Sequence, residues 1–406
     1  MGTVSLSHIG GSRRAVWAWT LGLVLPLTGW SVGCDARAER LPPGVDHPLA
    51  NRLASAPLQG TSRLFTTDPQ PVDADGRGAA GPSILDRIPE DPEELDWIGA
   101  LDRPSGQGGD VFGAVTDARA LGRDILVLDR RMGRLSRYSQ AGDLLEILAR
   151  PGRGPGELLD PRAMAVQGEE LAIVDASLHV HFFGIAGPGY RRSVGIGSEA
   201  TDLCAVGGDL LLLGFSPADP GVVHRLQGDS VVRRFGILYE SEDEVLRQLL
   251  SQGQIACDRE RRRVYLAYQR VGEVVAYDLA GELVWAAKLE PFRAPLLRQT
   301  DRGSVVSGID PRETAMHDLR RVTFLDERHL LIQHARLAPR TEESMDGGFE
   351  TVGIDRWVID VEARMGWYAG SGPTVLLSVE GGQPIVARDN PFPALALVPA
   401  DREVDR

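Results

Sequence analysis

A single lysine, Lys288, stands among 44 basic residues, so arginine carries nearly all of the positive charge. That bias reflects GC-rich coding composition rather than a binding chemistry. No Lys/Arg-rich run with interleaved aromatics occurs, and aromatics make up only 6% of the chain. The formal net charge is −13; Arg13 and Arg14 contribute +2 of it in a leading stretch without acids, leaving −15 on the remainder. A body this anionic repels phosphates, which excludes nucleic acid and anionic lipid headgroups as main partners. Also missing are a Gly-x-Ser-x-Gly elbow, a His-Glu-x-x-His pair and any clustered Ser/His/Asp order, so no standard hydrolase signature is present. Disorder of the whole chain is excluded, because 43% apolar and 25% charged residues are ordinary for a globular protein. The 406 residues allow two or three domains, or one all-β repeat unit of about 300 residues.

Charge is absent altogether from Ala15 to Gly33. Arginines at 13 and 14, followed by this uncharged stretch with Trp17, Leu21, Leu23, Val24, Leu25 and Leu27, form an export signal. The arginines hold the start of the segment on the cytoplasmic side while the apolar helix enters the translocon. Ser31-Val32-Gly33-Cys34 places small residues before a cysteine that can accept lipid; Ser31 stands where leucine is usual. Ala36-Arg37-Ala38 offers a rival cleavage site, and an uncleaved anchor is a third outcome. Ser12-Arg13-Arg14 also resembles a twin-arginine signal. The expectation is an exported protein, lipid-anchored to the membrane through Cys34, with a soluble secreted or periplasmic form as the alternative.

Of the other two cysteines, Cys204 and Cys257, each borders a short apolar run. Buried free thiols are the expectation, with a disulfide open only if the two Cα atoms come within about 7 Å.

From Asp35 to about Glu93, Leu41-Pro42-Pro43-Gly44, Asp68-Pro69-Gln70-Pro71 and Gly76 to Pro82 mark a tether without periodicity. Short apolar runs separated by turns then recur. Val115–Leu121, Asp124–Asp129, Arg134–Tyr138 and Gly142–Leu148 make one four-stranded unit. Arg162–Val166, Leu171–Asp175, Val180–Phe183 and Tyr190–Gly195 make the next. Asp129 and Asp175 hold equivalent places, 46 residues apart, a spacing that fits a propeller blade. Four more units follow, the last lacking one strand, which Asp96–Leu101 is expected to supply. Ser241–Gln252 reads as a short amphipathic helix and Pro291–Arg320 as a long connection.

The fold class expected is therefore all-β: a six-bladed β-propeller closed by an N-terminal strand, with a short helix and a long loop inserted. The boundaries are signal peptide 1–33, tether 34–93, propeller 94–400 and tail 401–406. Asp124-Ile-Leu-Val-Leu-Asp129, Arg134-Leu-Ser-Arg-Tyr138 and Gly142, followed by Gly152-Arg-Gly-Pro-Gly-Glu157 and Pro161, resemble the bacterial six-bladed propellers of NHL-repeat type, most closely their lipoproteins. The resemblance covers Gly113–Ile196 well and implies an architecture more than an activity.

Asp129 and Asp175 end inner strands, where carboxylates accept hydrogen bonds from turn amides. A cation-holding ring is the other reading, but Gly214 and Tyr268 or Gln269 stand at the matching places of later units. His179 and His181 share a strand face, and His329 with His334 is a second imaginable pair, yet nothing makes these histidines converge. Gly152–Glu157 is a blade-junction turn rather than a phosphate cradle, since Pro155 removes a donor and no Lys-Ser/Thr follows. The function expected is a binding or scaffold module for an unidentified protein, peptide or glycan, without cofactor, catalytic residue or metal. The alternative is a metal-dependent propeller enzyme of lactonase, lyase or hydrolase type.

Overall fold

The computed structural model describes residues 83–99, 111–187, 189–215, 221–236, 244–299, 305–340, 348–389 and 393–399. The expected signal peptide, Cys34, the Ala36–Ala38 cleavage site, most of the tether and the 401–406 tail lie outside the described residues.

Six antiparallel sheets form the ring of a six-bladed β-propeller. Blade I holds β1 (Val115–Leu121), β2 (Asp124–Asp129), β3 (Arg134–Ser139) and β4 (Leu144–Pro151), with a short parallel β5 (Glu157–Leu158) against β4. Blade II holds β6 (Ala163–Gln167), β7 (Glu170–Val174), β8 (His179–Gly184) and β9 (Tyr190–Gly195). Blade III runs through β10 (Glu199–Val206), β11 (Asp209–Phe215), β12 (Val223–Gln227) and β13 (Ser230–Phe235). Blade IV has β14 (Gly253–Asp258), β15 (Arg263–Tyr268), β16 (Glu273–Asp278) and β17 (Leu283–Lys288). After a hairpin of β18 (Leu296–Gln299) and β19 (Val305–Gly308), blade V is built from β20 (Met316–Phe324), β21 (His329–Pro339), β22 (Phe349–Asp360) and β23 (Met365–Gly372). Blade VI has β24 (Val375–Glu380), β25 (Gln383–Arg388) and β26 (Ala394–Leu397). The first strand of each blade is innermost: β1, β6, β10, β14, β20 and β24 neighbour one another in turn, and β24 returns to β1.

Each blade junction carries its own apolar core, which explains why the second strands read as unbroken apolar runs. In β2, Ile125 and Val127 face blade VI while Leu126 and Leu128 face blade II. Successive side chains point to opposite faces of a strand, and here both faces are covered by a neighbouring blade. Between blades IV and V, Trp285 and Trp357 are buried with Tyr265 and Leu330.

Among the described residues the fourth strand of blade VI is represented by a bridge: Ile98 N donates to Leu395 O at 2.7 Å and Leu395 N to Ile98 O at 3.2 Å. Residues 83–93, assigned to the tether by their composition, are instead packed on blades V and VI. Ile88, Leu95 and Trp97 are buried against Leu331, Leu376 and Val398. The physical reason is that these few apolar side chains find a ready apolar edge, which a breaker-rich composition conceals. Arg87 ties the segment down by donating to Gly382 O and Pro399 O.

Of the two inserted segments, one differs from expectation. The helix spans Glu244–Ser251, close to the expected place. The stretch 291–320, read as a loop, contains the β18–β19 hairpin and the first half of β20. Charged residues at 318, 320 and 321 hide the start of that strand. Cys204 and Cys257 are not free thiols: they form a disulfide with Cα atoms 5.5 Å apart, joining the inner strands of blades III and IV.

Candidate functional site

A β-bulge recurs at one place in four inner strands, and it shapes the centre of the ring. The strand pairing skips Thr116 in β1, Thr201 in β10, Arg320 in β20 and Leu377 in β24. A bulge bends its strand and re-aims the side chains on either side. All four skipped residues line a funnel-shaped cavity of about 830 Å³ at the channel mouth. Thr116 and Thr201 each donate to a carbonyl of the second strand, Leu128 O at 3.2 Å and Leu213 O at 3.3 Å.

The residues that follow the bulges, Asp117, Asp202, Arg321 and Ser378, are all buried, and each reaches the next blade. Asp117 accepts from Met164 N at 3.3 Å, and Asp202 from Ile255 N at 2.8 Å. Arg321 Nε donates to Leu377 O at 2.9 Å, and Ser378 Oγ to Ala118 O at 2.7 Å. The inner strand of blade IV, β14, pairs with β15 without a bulge, but Gln254 serves the same end, accepting from Val322 N at 3.0 Å and donating to Arg320 O at 2.8 Å. Polar side chains of the inner strands thus clasp neighbouring blades together, and each buried polar atom so used has its partner.

Electrostatically the two Asp positions differ. Asp117 receives Arg321 Nη2 at 2.6 Å and lies 3.5 Å from Arg119 Nε. Among the described residues Asp202 accepts from main-chain amides, Leu203 N at 2.9 Å and Ile255 N at 2.8 Å. Burial pushes its carboxyl up to about 6; the field of Arg321 and the two amides oppose this incompletely, and Asp117 adds to it.

The funnel draws on five blades and on the segment leading into blade II. Arg130 comes from blade I, Arg162 precedes blade II, Gln254 and Gln269 come from blade IV, and Arg388 from blade VI. Most of its arginines are matched. Arg130 pairs with Asp160 at 2.6 Å, Arg162 with Asp160 at 2.9 Å and Glu199 at 3.2 Å, and Arg388 with Glu93 at 3.1 Å.

Of the residues singled out in the sequence, Asp129 accepts from Gly113 N, Ala114 N and Met132 N at 2.7 to 3.0 Å. Asp175 accepts from Leu159 N and Ser177 N at 2.8 and 2.9 Å and lies 3.2 Å from His181 Nε2. Each carboxylate therefore fixes a β-turn and the segment leading into its blade. Gly152–Glu157 folds back on itself: Glu157 accepts from Gly154 N at 2.7 Å, and a Cβ at Gly152 would stand 2.0 Å from the same carboxylate. The histidines stay apart by pairs. His179 and His181 remain in blade II, and His329 bonds Asp326 in a turn. His334 lies buried against Trp357 with His317, whose Nε2 meets Asp355 at 2.9 Å. Among the described residues no group of three or more His, Cys, Asp or Glu is placed to hold a metal ion.

Sequence reasoning missed Asp202, Gln254, Arg320 and Arg321. The Thr-Asp dipeptide that recurs at 116–117 and at 201–202, in the second case ahead of the apolar run Leu203–Val206, was the available signal.

No protein-family model matches this chain, and no curated protein matches it. Among solved structures it is similar to a predicted exported protein of Bacteroides fragilis NCTC 9343, with 13% identity over 73% of this chain and 84% of that one, TM-score 0.49. It is also similar to the WD40 β-propeller domain of Doa1, with 10% identity over 70% and 92% of the two chains, TM-score 0.38. A third is the Cps50 (Swd1) β-propeller domain of Myceliophteria thermophila, at 11% identity over 71% and 96%, TM-score 0.40. At these identities nothing is carried over beyond architecture, and the six-bladed ring rests on this chain's own strand order. Among the described residues no helix is long and apolar enough to cross a membrane.

Proposed function

We propose that this protein is an exported, lipid-anchored six-bladed propeller of the NHL-repeat kind that works as a binding module, its protein, peptide or glycan ligand seated in the funnel. The observation that carries this reading is the funnel itself: a cavity of about 830 Å³ of mixed polar and apolar lining, drawn from blades I, III, IV, V and VI and from the segment leading into blade II. A cavity in this size range suits a small ligand or a short segment of a larger one. The Cys204–Cys257 disulfide supports export, because such bonds persist in oxidising compartments. The metal-dependent enzyme reading needs donors from several blades at one point, and nothing among the described residues favours it.

Val352 stands half-exposed on the funnel wall, so Val352→Trp fills the mouth without touching the junction cores. On peptide and glycan arrays, the ligands bound by the wild type should be lost in this variant while its melting temperature is unchanged. Hits retained at full strength would remove the funnel from the function. Intact mass of the mature protein checks the anchor: a diacylglycerol adduct on Cys34, absent in Cys34→Ser, is expected, and a free N-terminus after Ala38 would refute it.

A further inference from the structure

Two Thr-Asp bulges occupy the same register position in blades I and III, and only one of them is closed by a cation. In blade I the Asp117 carboxylate is engaged by Arg321 at 2.6 Å and flanked by Arg119, and it does not border the cavity. In blade III, Asp202 does border the cavity, is 6% exposed, and among the described residues has no arginine, lysine or histidine within ion-pair distance. Its two oxygens are held by Leu203 N and Ile255 N, one bond to each, and a carboxylate has acceptor capacity beyond that. A carboxylate this buried with no direct ion pair, the Arg321 charge acting on it only from a distance, is costly in the ionised state. The cost disappears when a cation enters from the cavity side.

We propose that Asp202 in the funnel wall is the ion-pairing residue for a cationic group of the ligand, a primary ammonium or guanidinium such as a lysine or arginine side chain of a peptide. This rests on the reading of the funnel as the binding site. Charge matching within the funnel agrees with it. Arg130, Arg162, Arg321 and Arg388 are matched by Asp160, Glu199, Asp117 and Glu93, so their charge is already offset. Arg320 is the lining arginine without a carboxylate partner among the described residues, and it marks the rival, anionic ligand. The body of the chain decides between them: a charge of −15 outside the first 33 residues draws cations toward the protein and slows anions. Burial holds the Asp202 carboxyl up at about 6 although Arg321 opposes it from beyond ion-pair distance.

The amides of Leu203 and Ile255 are built-in reporters, since both donate to Asp202. Their NMR shifts should move when n-butylammonium is titrated into the wild-type protein, and should stay fixed with butanol and with butyrate. Asp202→Asn should weaken butylammonium binding by at least about tenfold; because the three probes are compared on the wild type, the test stands even where this variant folds poorly. Butyrate moving these amides while butylammonium does not would overturn the cationic ligand and leave the funnel reading intact. If none of the probes moves any funnel amide, both readings fall.

Discussion

Replacing Asp202 by asparagine separates the two contributions this residue makes, because only one of them depends on pH. In the native protein its carboxyl titrates near 6, against 3.8 for an ordinary aspartate. Burial is the first cause, the Asp117 charge adds to it, and Arg321 with the two amides opposes it. The native state therefore keeps a proton that the unfolded chain has already released between those values. Stability from this source is complete below about pH 3.8 and is lost as pH rises through 6, a change of about 3 kcal/mol. Asparagine has no such term. It does lose an acceptor: its carbonyl serves one of the Leu203 and Ile255 amides, and its NH2 faces the other, at about 1–3 kcal/mol. At pH 4 the variant should be the weaker by that amount, and by pH 8 the two proteins should be nearly equal or their order reversed. Urea unfolding of both proteins across this range gives the difference directly, since every other titrating group is common to both. A difference that does not change with pH would refute the reasoning, and one that grows with pH in favour of the wild type would show that Asp202 is stabilised as an anion.

Removing the disulfide as Cys204→Ser/Cys257→Ser should cost about 4 kcal/mol, the loop-closure entropy of its 53-residue separation; a midpoint in guanidinium within error of the wild type would show that the bond adds nothing. Trp357→Ala empties a fully buried site between blades IV and V and should cost about 3–5 kcal/mol, read as a lowered melting temperature. Asp129→Ala strands three amides around one turn and should destabilise by about 3 kcal/mol, with hydrogen exchange accelerated first at Gly113, Ala114 and Met132.

The blade pattern was legible because the second strands are buried on both faces. Ile125-Leu126-Val127-Leu128 must be apolar throughout to serve two junctions, and such runs stand out in any reading. The inner strands were harder to place. Their heads carry the bulges and the polar clasps, so Thr201, Asp202 and Arg321 fall outside the apolar runs and Arg320 ends the expected connection, though all four lie within strands. Candidate-site residues were lost with them: a search for carboxylates at strand ends finds Asp129 and Asp175, which fix turns, and passes over Asp202, which borders the cavity. The 83–93 segment was misplaced for a related reason. Its Ile88 and its neighbours Leu95 and Trp97 are too few to give a period, and only the edge of blade VI gives them meaning.

The bridge between Ile98 and Leu395 carries a consequence for how the molecule comes into being. Two chain segments that meet here are separated by almost the whole propeller, so the entropy of closing that loop opposes the contact until the blades between have formed. During synthesis Ile88, Leu95 and Trp97 emerge among the first propeller residues, and their burial partners Ala394, Ala396 and Val398 among the last. The ring is thus a latch that only a finished chain can shut. A ribosome that stops short by a single strand leaves an open edge at blade VI and an uncovered apolar segment together, and presents quality control with both signs of an incomplete protein at once.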